Sequence, residues 1–172
     1  MVELTVGAAL EGGCRRVLLV VGFRGEELVR LFRAEPRVLP VWNRGWEKGM
    51  LGSIQEALPS VEGGAFFSLN ADMPAVDPSS FGRLEAASRE AGGEAACFAA
   101  HGGAAGHPVL IPSAWIKEIL GLAPGSRMKA FLAGKPSLLV ECGPGSLLDL
   151  DTPGAYEAYL ATMTPGGGEA GS

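Results

Sequence analysis

The chain has 172 residues, 47% of them hydrophobic and 19% charged, which is enough apolar material to close the core of an ordinary domain and too much for a disordered polymer. A net charge of -5 lacks the basic footprint that nucleic-acid binding requires, and no apolar run approaches the roughly 20 residues that span a bilayer. The cysteines, Cys14, Cys97 and Cys142, are odd in number and far apart, so the expectation is a cytoplasmic protein with neither a disulfide framework nor a structural zinc site, and with no nucleic-acid or membrane partner.

Residues 2–11 read as a short helix stopped by Gly12-Gly13. The run RVLLVV over 16–21 is nearly continuously apolar and suits a strand buried on both faces of a parallel sheet. Alternation then continues: a helix over 25–32, a strand over 37–41, a helix over 51–58, a strand over 65–69, a helix over 78–91 and a strand over 94–99. Strands separated by helices mean βαβ crossovers, so the expected fold is a three-layer, Rossmann-like α/β domain, a mostly parallel sheet with helices on both faces. The second half is less regular. It reads as a mobile glycine-rich loop over 101–106, a strand over 108–111, two short helices within 113–134, a strand over 137–142 and a last helix over 153–162. One domain over 1–163 and a disordered tail over 164–172, rich in glycine, complete the expected organisation.

In an open parallel sheet, ligands bind beyond the carboxyl ends of the strands, so polar residues directly after apolar runs come first. Asp72 follows the strand AFFSL, and Pro74 disfavours helix at Met73, which keeps the acid in an extended turn. A helix cap is the competing role, but Asp77-Pro78 supplies a better one. Asp149 and Asp151 alternate in Leu148-Asp149-Leu150-Asp151-Thr152-Pro153, pointing one way in an extended segment. Carboxylates so placed suit Mg²⁺, which takes one or two of them and completes its shell with water and phosphate; a solvated acidic turn fits the spacing equally well. Gly49, Gly52 and Ser53 open a helix start to an anion, a pattern glycines also give for conformational reasons alone. His107, entering a strand, reads as a structural hydrogen-bonder or a catalyst. Arg127 reads as a bidentate phosphate donor or a solvated arginine.

Taken together, Val20-Val-Gly-Phe-Arg-Gly-Glu-Glu27, Asn43-x-x-Trp46-x-x-Gly49-Met50-x-x-Ser53, Ala71-Asp72-Met73-Pro74, Gly106-His107-Pro108-Val109, Gly125-Ser-Arg127 and Leu148-Asp-Leu-Asp151-Thr-Pro153 resemble the molybdenum cofactor cytidylyltransferases within the MobA-like nucleotidyltransferases. The Gly-Met-x-x-Ser form is similar to the cytidylyltransferase branch. Members of the family begin with a strand and an LAAGxSxRMGxxK loop that holds the triphosphate, and this chain starts at the helix that follows, so the resemblance implies a sheet lacking the usual first strand.

The resemblance implies transfer of CMP from CTP to molybdopterin with release of pyrophosphate. Asp72 and Asp151 would be catalytic and hold Mg²⁺ or Mn²⁺, with Asp149 as a further ligand. Asn43, Gly49, Met50 and Ser53 would face the nucleotide, and Gly106, His107, Pro108 and Arg127 the pterin phosphate. A molybdenum hydroxylase or its maturation factor is the implied downstream partner. The other readings are a non-catalytic molybdopterin carrier, and a transferase of the same fold that uses GTP or a sugar phosphate.

Overall fold

A computed structural model of the chain describes residues 1–149. The expected last helix, the tail and Asp151 lie outside the described residues. The elements are α1 (Val2–Glu11), β1 (Val17–Val21), α2 (Gly25–Leu31), β2 (Val38–Trp42), α3 (Met50–Ala57), β3 (Ala65–Ser68), α4 (Ser79–Glu90), β4 (Ala96–His101), β5 (Ala104–Pro112), α5 (Ile116–Leu120), α6 (Met128–Ala133) and β6 (Ser137–Glu141), followed by a 3₁₀ turn, Pro144–Leu147.

The strands form two sheets among the described residues. β1 and β2 pair in parallel from Val17 opposite Val38 to Val21 opposite Trp42. The other four lie in the order β3-β5-β4-β6. There β4 and β6 are parallel, while β5 runs antiparallel to both β3 and β4. The α/β expectation with helices on both faces is met by a mixed sheet.

Side-chain alternation builds the three layers. On one face Ala96, Val109 and Ile111 pack with Leu51 and Leu58, Ile119 of α5 and Leu132 of α6. On the opposite face Cys97, Ala99 and Leu110 pack with Leu84 of α4. A third cluster joins β1 and β2 to α1 through Val6, Leu19, Val21 and Val38. A fourth joins Ala9 of α1 to Met73, Val76 and Phe81, with Val17 and Phe67 at its margin. No strand ladder joins the two sheets among the described residues; helix packing bridges them.

The segment expected to be a mobile loop over 101–106 is instead a tight hairpin. Gly102 and Gly103 take φ of 56° and 84°, and His101 pairs with Ala104 directly across them. A two-residue turn with positive φ at both positions matches the twist of antiparallel strands, and only glycine enters it without strain. Glu141 ties the tip down, accepting from His101 Nδ1 at 2.9 Å and from the Gly102 amide at 3.2 Å. The His101 hydrogen bond, first among the causes, holds the Glu141 carboxyl below its ordinary range.

Candidate active site

β3 ends at Ser68 and the chain turns through Asp72 before α4. Both neighbours of Asp72 are fixed from outside the turn. Thr5 Oγ1 of α1 donates to the Ala71 carbonyl at 3.0 Å, and Met73 is 2% exposed within the cluster of Ala9, Val76 and Phe81. The helix-cap role falls to Asp77, whose Oδ1 accepts from the Ser79 amide at 2.8 Å. Asp72 is therefore free of capping duty, and its Oδ1 is buried with no hydrogen-bond partner among the described residues. A buried carboxylate oxygen left without a donor costs free energy, so its retention points to a ligand.

Two further segments close on this turn. Gly145, in the 3₁₀ turn after β6, packs so tightly on Ala75 that a Cβ there would lie 2.8 Å from the Ala75 carbonyl carbon and closer still to its oxygen. Gly106, entering the body of β5, abuts the Ser146 backbone in the same way. Next to it, His107 Nδ1 is 3.3 Å from the Ser68 carbonyl. A carbonyl only accepts, so Nδ1 carries a proton in this contact and Nε2 is left for another partner. Pro108 follows, fully buried, after a cis His107–Pro108 peptide. The end of β3, the Asp72 turn, Gly106-His107-Pro108 and the 144–147 turn thus form one cluster. Asp149 leaves it two residues later on an exposed segment.

A second cluster sits after β2. Asn43 is 3% exposed; its Nδ2 donates to Ser53 Oγ at 3.0 Å and its Oδ1 accepts from the Gly45 amide at 2.8 Å. Its side chain therefore organises the loop, while Gly49, with φ of 106°, and the 63%-exposed Met50 form the open start of α3. Arg127 is brought to neither cluster by any described contact. It is exposed at the start of α6, whose Leu132 packs with Leu51, Leu58 and Ile119.

The donor set fits a hard divalent cation in one respect: Asp72 offers an unpaired, pre-positioned carboxylate oxygen. Among the described residues no three acidic, histidine or cysteine side chains gather as a complete metal cage. Mg²⁺ does not need one, since it takes one or two carboxylates plus water and substrate phosphate. Thr5 and Gly145, which hold the Asp72 turn, carry no local sequence signal, and the exposed ring pair of Phe23 and Trp46 stands outside both clusters. The aromatic pair carried a signal, each standing beside glycine just past an apolar strand run in Gly22-Phe23-Arg24-Gly25 and Gly45-Trp46.

Comparison with known proteins agrees with this architecture. The chain is 26% identical to the molybdenum cofactor cytidylyltransferase of Escherichia coli over 141 residues, 81% of this chain and 71% of that protein. A nucleotidyl transferase from Methanothermobacter superposes with a TM-score of 0.76 at 20% identity, over 94% of this chain and 81% of the other. The Rv0371C protein of Mycobacterium tuberculosis, solved in complex with manganese, superposes with a TM-score of 0.74 at 20% identity, over 94% and 85% of the two chains. The profile of the MobA-like NTP transferase domain matches residues 1–140, and with the clusters after β2 and β3 in place, the chain belongs to that family of nucleotidyltransferases.

Proposed function

We propose that this chain transfers CMP from CTP to molybdopterin. The terminal phosphate oxygen of molybdopterin attacks the α-phosphorus of CTP, the bond from that phosphorus to the bridging oxygen of the β-phosphate breaks, and pyrophosphate leaves with the electron pair. The observation that carries the reading is the buried, unpartnered Oδ1 of Asp72, locked between the anchored Ala71 carbonyl and the buried Met73. The choice of CTP and molybdopterin rests on the Escherichia coli relative and on Gly49-Met50-x-x-Ser53.

The protein's contribution is positioning and charge complementarity rather than covalent chemistry. Mg²⁺ or Mn²⁺, when bound, supplies neutralisation of the phosphate charge; Asp72 would hold it, with Asp151 and Asp149 as candidate further ligands. Gly49, Met50 and Ser53 take the nucleotide at the start of α3, with Asn43 holding that loop in shape. His107, its Nδ1 committed to Ser68, keeps Nε2 for the acceptor phosphate, and Gly106 and Pro108 shape the wall beside it. Arg127, with a free guanidinium among the described residues, meets the pterin phosphate as a bidentate donor. The free thiols Cys14, Cys97 and Cys142 fit a cytoplasmic setting, where a molybdenum hydroxylase or its maturation factor would consume the product.

The test measures pyrophosphate release and CMP incorporation by the purified chain with CTP or GTP, molybdopterin and Mg²⁺, beside Asp72→Asn. Molybdopterin-dependent release from CTP that falls at least a hundredfold in the variant is expected. Preference for GTP, or a fully active Asp72→Asn, overturns the reading.

A further inference from the structure

The carboxyl ends of β1 and β2 carry an exposed apolar surface that the site description leaves unused. Phe23 is 70% exposed and Trp46 43%. Their ring centroids are 5.7 Å apart and their planes are inclined at 46°. The pair is thus an open angle with two free faces, not a closed stack.

Its construction is specific. Trp46 rests directly on the backbone at Gly22, where a Cβ would come within 2.6 Å of the Trp46 Cβ and Cγ. Any side chain at that position would lift the indole off. From below, the loop is held by the buried Asn43, whose amide donates to Ser53 and accepts from Gly45, and whose own backbone N–H donates to Val21 at the end of β1 at 2.9 Å. A buried polar side chain therefore spends its hydrogen-bonding capacity on fixing a loop that displays an aromatic ring to solvent. Rigid aromatic faces held in water are what a planar heterocycle stacks on.

The charges beside the pair narrow the ligand. Arg24 is neutralised by a two-pronged contact with Glu27, both distances 2.7 Å. Arg44 and Lys48, flanking Trp46 in the same loop, are exposed and have no ion-pair partner among the described residues. Glu47, exposed between them, sets one negative charge against the two; an aromatic platform whose loop keeps a net positive charge complements a base that carries a polyphosphate.

We infer that Phe23 and Trp46 form the stacking platform for the nucleobase of the triphosphate substrate, with Arg44 and Lys48 facing its phosphates. This rests on the proposed nucleotidyl transfer and assigns two residues to base binding within it. Calorimetry on the full chain with CTP, inorganic triphosphate and a phosphorylated pterin, each with Mg²⁺, tests it. Phe23→Ala should weaken CTP about 5- to 150-fold, the range that base–aromatic stacking supplies, and leave inorganic triphosphate unchanged. Phe23→Tyr should restore CTP affinity. CTP should also quench tryptophan fluorescence in the wild type, and Trp46→Phe should remove that response. CTP binding that ignores Phe23→Ala overturns the platform while leaving nucleotidyl transfer standing. A response confined to the pterin reassigns the surface to the acceptor and overturns the inference too. Absence of any nucleotide binding by the folded wild type refutes both readings together.

Discussion

The contact of Gly145 with Ala75 offers a sharp test of how the Asp72 turn is held, because the same substitution elsewhere should have the opposite sign. Gly145 has a backbone angle open to any residue, so alanine meets no conformational strain there, and by itself glycine to alanine would stabilise by about 0.4–1 kcal/mol through the unfolded chain. Against this, the new Cβ would stand 2.8 Å from the Ala75 carbonyl carbon, where ordinary contact begins at 3.4 Å. The Ala75 carbonyl oxygen would lie closer still, so backbone on both sides must part by well over about 0.6 Å, an overpacking that costs about 1–3 kcal/mol or more. Gly82, inside α4, has no atom within 4 Å of its added Cβ, and alanine there should gain about 1 kcal/mol of helix propensity. Urea unfolding followed by circular dichroism should move the two midpoints in opposite directions. Because Ala75 lies three residues from Asp72, Gly145→Ala should also lower pyrophosphate release while Gly82→Ala leaves it intact. A Gly145→Ala protein as stable and active as the wild type would refute the packing argument.

Asp72→Ala should hold or raise the melting temperature, with a gain of about 1 kcal/mol, because it deletes a buried oxygen that has no partner among the described residues; a clear fall would mean the carboxylate is a structural group. Glu35 is depressed from 4.5 to about 2, first by the side-chain hydrogen bond from Arg37. Its contribution is accordingly present above pH 4.5 and disappears as pH falls toward about 2. The stability difference between wild type and Glu35→Gln should shrink across that window, and one independent of pH contradicts the assignment. Burial, with Glu85 adding to it, pushes the Cys14 thiol up to about 11, so native protein at pH 8 should be alkylated there only slowly and rapidly once unfolded. Mass spectrometry of iodoacetamide adducts reads this directly, and fast native labelling of Cys14 would count against it.

The strands that alternate with helices were legible because each is a short apolar run bounded by polar or glycine positions, as RVLLVV and AFFSL are. Direction was not. Val109, Leu110 and Ile111 of β5 are buried on both faces, and such a run carries no mark of whether it lies parallel or antiparallel to its neighbours. The Gly102-Gly103 pair held the answer, but two glycines among alanines read as a mobile loop until His101 and Ala104 are seen to pair across them. Asp72 stood out because Pro74 and Asp77-Pro78 left it without a structural task nearby. What fixes it, the Thr5 hydroxyl and the touch of Gly145 on Ala75, comes from residues more than 60 positions away and leaves no local signature. Asn43 shows the reverse limit: its position after a strand marks it in the sequence, yet only the hydrogen bonds to Ser53 and Gly45 reveal that its amide holds the loop.

The separation of the strands into two sheets among the described residues bears on how cooperatively the molecule unfolds. Within each sheet, main-chain ladders couple every strand to its neighbour. Between them the coupling is carried by α1, through Ala9 and the Thr5 bond to Ala71, and by α3, which packs on β1 while its Leu51 enters the core against β5. Cooperative units with fewer buried contacts open at lower free energy than the main core. Amide exchange should accordingly fall into two protection levels, with β4 and β5 slowest and β1 and β2 released earlier as a group. Since α1 also anchors the turn bearing Asp72, the same opening that frees β1 and β2 would loosen the carboxylate proposed to hold the metal.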